Sequence, residues 1–273
     1  MYIIATFIRV SIIFFVFGML VSARSQQRAT SESISSFNLQ ATSSISSCNP
    51  ACIIETFVKT EAQVRAAMNQ YRFKRDVTLQ TIGRRGEITG EYIRNSEFLF
   101  DDKGNRIERV TFHPPSTIRE MRITREDIQD LAGAQLLGIE IAESSKYRLS
   151  YVGEDILDGR RVHVLTVEPA VTPNPHCMSN RYFNGQLWID AVNLQVLKVR
   201  GVVEPRGKQR FPIFETWREP LTTSLYLPTR TVADDVLHFP NRDVNFRIRV
   251  RYYDYKLFAS KLTVKDVDEP ANQ

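Results

Sequence analysis

The groups in this sequence whose types and spacing could do chemistry are three cysteines, four histidines, two pairs of acids and one arginine stripe. In Cys48-Asn49-Pro50-Ala51-Cys52 two thiols are separated by a three-residue spacer. Asn49 can cap a helix and Pro50 can take its first turn, which sets Cys52 near the positive helix end, where a thiolate is favoured. Three readings stay open: a structural disulfide between Cys48 and Cys52, a redox pair, or a metal site that adds His176-Cys177. The spacer is longer than the two-residue redox motif and the ligand set falls short of a zinc site, so the plain disulfide is the favoured reading. An odd cysteine count leaves one thiol over.

His113, His163, His176 and His238 are far apart, and three of them fall in or directly beside expected strands. Such histidines are expected to be surface or satisfied groups rather than parts of a triad. Asp101-Asp102 and Asp234-Asp235 are expected at or near turns, where carboxylates accept backbone hydrogen bonds. No nucleophile elbow, phosphate-binding glycine loop, paired-histidine helix or calcium loop occurs in the sequence. The stripe Arg247, Arg249, Arg251 could meet phosphate groups at a membrane surface, or be a solvated sheet face. No cofactor is expected.

These groups must be positioned by elements that begin after an export signal. Residues 1–23 carry one positive charge at Arg9, an apolar run over 10–21 and small residues at Val21 and Ala23, which reads as a signal peptide cut after Ala23. The alternative is a retained N-terminal membrane anchor. Residues 24–48 read as a flexible leader, with nine Ser and two Thr between positions 25 and 47. The expected location is therefore the periplasm. Losing Arg9 leaves 35 basic against 31 acidic residues, a charge of +4. The basic residues are scattered among acids, which argues against nucleic-acid binding but allows transient contact with an anionic membrane surface. With 273 residues, 42% of them apolar, and only 12 Gly and 12 Pro, the chain can build one sizeable core, and wholesale disorder is excluded.

A helix is expected from about Pro50 to Gln70, with Ile54, Phe57, Val58, Glu61, Val64 and Met68 at three- and four-residue steps. Strands follow. Tyr71, Phe73, Val77 and Leu79 share one face of the first, Gly83–Gly86 turns into 87–100, and Asp101–Asn105 turns into 106–113. Thr124-Arg125-Glu126-Asp127 is a capping-box pattern for a second short helix with Ile128, Leu131 and Ala132 buried. Seven further strands are expected at 147–153, 160–168, 185–190, 194–203, 210–218, 225–237 and 244–258. In the last, Val244, Phe246, Ile248, Val250 and Tyr252 face one way and Asn245, Arg247, Arg249 and Arg251 the other. The expectation is an α+β domain over 49–262, followed by a polar tail, 263–273. Its single large curved antiparallel sheet forms a half-open barrel, with the N-terminal helix and the second short helix on its concave side.

The order of these elements, with Leu157-Asp158-Gly159-Arg160-Arg161-Val162-His163-Val164-Leu165 and then Gly185-Gln186-Leu187-Trp188-Ile189-Asp190, resembles the periplasmic lipoprotein carrier and sorting family, the Lol type. Gly90-Glu91-Tyr92, Phe211-Pro212-Ile213-Phe214-Glu215 and Tyr252-Tyr253-Asp254-Tyr255 are similar to segments of uncharacterised exported bacterial proteins described as lipoprotein-sorting-like. The resemblance covers about residues 50–260 and implies an incomplete barrel with helical lids that holds acyl chains, with no catalysis and no cofactor. The carrier family's functional arginine is not placed on any particular arginine here, so no binding residue is carried over from it. The expected function is a non-enzymatic carrier of an acylated lipid or lipoprotein. Its apolar hollow would be lined by Phe73, Val77, Leu79, Trp188, Trp217, Phe246, Ile248, Val250 and Tyr252. The alternative is an envelope protein-interaction or sensing module on the same fold.

Overall fold

A computed structural model of the chain describes residues 48–101, 104–123, 127, 144–172, 182–204 and 212–258. All of them belong to one compact unit that spans Leu39–Gln273. The signal peptide, the Ser/Thr-rich leader up to Ser47, the second short helix around Thr124–Ala132, His176, Cys177 and the C-terminal tail lie outside the described residues.

The described elements are one helix, α1 (Pro50–Met68), and ten strands: β1 (Tyr71–Ile82), β2 (Ile88–Phe100), β3 (Arg106–Phe112), β4 (Tyr147–Leu157), β5 (Arg160–Pro169), β6 (Tyr182–Asp190), β7 (Val196–Glu204), β8 (Phe214–Thr222), β9 (Leu225–Phe239) and β10 (Arg242–Leu257). They form one antiparallel sheet in the order β3-β2-β1-β10-β9-β8-β7-β6-β5-β4. The sheet is not closed, and β3 and β4 are its edges. Short turns explain why sequential strands are neighbours. Asp158 and Gly159 both take positive φ between β4 and β5, as a two-residue hairpin turn requires.

The helix begins as its sequence dictates. Asn49 accepts the Cys52 N–H at 2.9 Å and Pro50 occupies the first turn. Ile53, Phe57, Thr60, Glu61, Val64 and Met68 are its buried side, with Ile54 and Val58 half-buried beside them. The buried stripe is thus turned slightly from the one read in the sequence. Burying it on one sheet face makes a continuous core that also holds Val77, Ile248 and Val250 of the middle strands, and Leu165, Leu187 and Val199 beyond them. We call this the inner face.

Glycine is needed at one crowded place on that face. The Phe183 ring covers both Gly185 and Gly201, and a Cβ on either would stand 2.5–2.7 Å from ring carbons. The outer face has only a small buried cluster, Val162, Leu197 and Tyr226, with Leu157 and Trp188 against it.

Candidate functional site

Strand parity decides which side chains meet on the inner face. On β1 the buried residues are Phe73, Arg75, Val77, Leu79 and Thr81, and on β10 they are Val244, Phe246, Ile248, Val250 and Tyr252. Their register pairs Val77 with Val250, Leu79 with Ile248 and Thr81 with Phe246. Tyr92 of β2 stands opposite Leu79. Seven of the nine residues expected to line a hollow are therefore brought together on this wall. All seven are buried.

Trp188 and Trp217 are not with them. Leu187 and Ile189 turn inward on β6, so Trp188 between them faces out, and on β8 the inward residues are Phe214, Thr216 and Arg218, which turns Trp217 out. Lys198 of β7 sits between the two indoles, its ammonium 5.2 Å from one ring centre and 4.6 Å from the other. The two tryptophans belong to the outer face and cannot line an inner hollow.

What covers the inner wall changes along the sheet. The helix lies chiefly against β4 and β9. Beside Thr81, Tyr92 and the start of β10 the described cover is the segment after β3, whose Ile118, Met121 and Ile123 pack on the core while half-buried. Gly90 makes this possible, because a Cβ there would stand 2.6 Å from the Ile118 Cα. The segment is pinned to β2 by the Thr117 N–H donating to the Glu91 carbonyl at 2.9 Å, and by the Glu91 N–H donating to the Thr117 hydroxyl at 2.9 Å. Arg242 from the start of β10 donates to the Glu120 carbonyl. Two clefts open beside it. One of about 360 Å³ lies between Tyr92, His113, Ile118 and Ile123. The other, of about 850 Å³, is bounded by Met121, Arg122, Asp127, Phe239 and Arg242.

The inner face also carries charge that sequence reading missed. Arg75 falls between Phe73 and Val77 in the inward alternation, and its guanidinium donates to Glu108 of β3 at 3.0 Å and lies 4.7 Å from the Phe98 ring centre. Arg94 and Ser96 of β2 donate to the same Glu108 oxygen at 3.1 and 2.6 Å. Burial pushes the Glu108 carboxyl up, but the hydrogen bonds from Arg94 and Ser96 and the charge of Arg75 outweigh it and hold Glu108 below the usual carboxylate range. Glu61 of α1 stands 2.7 Å from Arg218 of β8, both fully buried. Burial raises the Glu61 carboxyl above its ordinary value, and Arg218 pulls it part of the way back. The signal in the sequence was Glu61 itself, an acid inside an apolar helical stripe.

The remaining described groups that could do chemistry each have partners elsewhere. Cys48 and Cys52 form a disulfide. His113 contacts the Ile93 carbonyl, His163 the Tyr151 hydroxyl and His238 the Asp243 carboxylate, on three separate strands or loops. Asp101 accepts the Asn105 N–H in a turn. Asp234 and Asp235 lie inside β9 rather than at a turn. Their positions follow from partners on neighbouring segments: Asp234 pairs with Arg247 and Arg249 of β10, while Asp235 accepts the Ile213 N–H, just before β8, at 3.0 Å. Among the described residues no group of His, Cys, Asp and Glu could hold a metal ion, and no helix is long and apolar enough to cross a membrane.

No protein-family profile and no curated protein matches the sequence. Solved structures do. A LolA superfamily protein from Nitrosomonas europaea is similar at 15% identity over 77% of this chain and 94% of its own, with a TM-score of 0.38. An outer membrane lipoprotein-sorting protein domain from Vibrio parahaemolyticus has 10% identity over 77% and 94%, with a TM-score of 0.37. The MucA/MucB complex of Pseudomonas aeruginosa has a chain with 13% identity over 75% and 99%, at a TM-score of 0.22.

Proposed function

We propose that the protein binds and carries an acylated lipid or lipoprotein over the β1, β2 and β10 part of its inner face, without catalysis. The observation that carries this reading is the kind of cover found there. An apolar wall of Val77, Leu79, Phe246, Ile248 and Val250 is bordered at its Thr81 and Tyr92 end, among the described residues, by an irregular segment with three half-buried apolar side chains. A loop held by a few hydrogen bonds can lift at lower cost than a packed helix. An acyl chain that takes its place would be withdrawn from water, a gain of about 0.8 kcal/mol per methylene. The clefts beside the loop fall within the range of ~300–1,000 Å³ usual for small-molecule sites.

Phe73, Val77, Leu79, Phe246, Ile248, Val250 and Tyr252 are the residues proposed to meet the chain. Native mass spectrometry of the purified protein is expected to show bound lipid, and a fluorescent fatty acid is expected to be displaced by unlabelled lipid. Protein that carries none and ignores the probe rejects the reading.

A second reading is favoured by a separate observation. Both sheet edges expose apolar side chains, Ile107 and Phe112 on β3 and Val152 and Ile156 on β4, which is the surface that an added strand of a protein partner would use. Recovery of a stoichiometric protein partner and no lipid would favour it.

A further inference from the structure

The outer face of the sheet carries a row of side chains that the carrier reading does not use. The register places Trp188, Lys198, Trp217, Arg230 and Arg251 opposite one another across five successive strands, β6 to β10. At about 4.8 Å per strand the row is roughly 20 Å long. Aromatic rings and cations are in contact along it: Lys198 lies over both indoles, Arg230 is 4.7 Å from the Trp217 ring centre, and Arg251 is 4.6 Å from that of Tyr253. The next residues along the same strands add Arg200, Arg249 and Arg247.

The acids facing these six cations are Glu215, Asp234 and Asp76. Glu215 is shared by Lys198 and Arg200, Asp234 by Arg247 and Arg249, and Asp76 pairs with Arg251. Six positive groups against three negative ones leave a surplus of three charges within this patch. Between Lys198 and Arg251 the row presents no large exposed aliphatic side chain of the kind that forms the centre of a protein interface. Half-buried indoles with guanidinium groups beside them are instead the chemistry of the lipid headgroup layer.

We propose that this outer face, centred on Lys198, Trp217 and Arg230, docks on the headgroups of an anionic lipid surface. The proposal does not depend on a ligand over the inner wall. Docking through the outer face leaves the cover of the inner face free.

The two tryptophans are the only ones in the chain, so the protein reports on its own docking. The full-length protein is mixed with phosphatidylcholine vesicles, and with vesicles in which part of that lipid is replaced by phosphatidylglycerol. Binding is expected to rise with phosphatidylglycerol, to fall with added salt, and to shift the indole emission to shorter wavelength. The variant Arg200→Gln/Arg230→Gln/Arg251→Gln is expected to bind such vesicles at least about tenfold more weakly, since each cation near an anionic surface is worth several-fold. Its far-ultraviolet circular dichroism should match the parent. Arg84→Gln/Arg85→Gln/Arg160→Gln, which removes the same charge from exposed turns, is expected to keep most of the binding. Equal binding to both vesicle types, equal loss in the two variants, or binding without an emission shift overturns the proposal. If the first variant keeps its vesicle binding but loses a specific protein in pull-downs, the face belongs to a protein partner and the proposal is wrong.

Discussion

Arg218 on β8 and Glu61 on α1 form an ion pair at 2.7 Å with side-chain exposures of only 1% and 0%. The charge of Arg218 and a hydrogen bond from it both act on the Glu61 carboxyl, and the pair ties α1 to β8 within the apolar core. Such a pair gives modest net stability but is costly to break on one side, because the remaining charge stays buried without a counter-ion.

Removal of one partner is thus expected to destabilise more than removal of both. Arg218→Met alone or Glu61→Leu alone should lower the unfolding free energy by about 3–5 kcal/mol. Glu61→Leu/Arg218→Met should recover much of that loss, and urea unfolding of the three variants measures it. Losses that simply add would show that the two side chains do not act as a pair.

Gly90 controls how closely the segment after β3 lies on the inner wall. Val at this position would drive Cγ and Cβ atoms into the Ile118 backbone, 2.6 Å away, and the Thr81 hydroxyl, 2.9 Å away. Gly90→Val is expected to cost about 1–3 kcal/mol in stability and to increase uptake of the fluorescent fatty acid, because the cover is pushed off. A loss of stability with unchanged uptake would separate this segment from ligand entry.

His163 gives the fold a specific response to acid. Burial holds its imidazole below the ordinary histidine value of 6.5, Glu154 at 3.9 Å offsets part of this, and Arg161 adds to it. The unfolded chain therefore binds the proton more readily than the folded one, and stability must fall as pH drops below 6.5 towards the folded value. Urea midpoints between about pH 8 and about pH 5.5 should show this slope. His163→Gln should flatten it, and an unchanged slope in that variant would assign the response to other groups.

How much of this was legible in the sequence depends on whether a side chain's partner is near or far. β10 was readable because Val244, Phe246, Ile248, Val250 and Tyr252 face a core while their neighbours face solvent, so polarity and parity agree. On β8 they disagree. Thr216 and Arg218 point inward and Trp217 outward, since Arg218 meets an acid on a helix far back in the chain and Thr216 meets Thr231 at 2.8 Å. Trp188 was ambiguous for another reason: Leu187-Trp188-Ile189 is apolar throughout, so a period of two has nothing to count. Arg75 was hidden because its partners, Glu108 and the Phe98 ring, come from two other strands.

The start of α1 is fixed twice, by the Asn49 cap and by the Cys48–Cys52 disulfide that encloses it. The two cysteines are four residues apart with Cα atoms 5.6 Å from each other, so the closed loop is small and its entropic contribution is about 2 kcal/mol. Reduction, or Cys48→Ser/Cys52→Ser, is expected to lower stability by about that amount. Because the disulfide closes the same turn that the cap closes, the two should not act independently. Asn49→Ala should cost about 1 kcal/mol in the reduced protein, where the cap alone orders the first turn, and clearly less in the oxidised protein, where the bridge already restrains it. Denaturation of parent and variant with and without reductant provides the four values needed. Equal costs in both redox states would mean that cap and bridge stabilise different parts of the chain, and that the first turn of α1 does not need the disulfide to hold its shape.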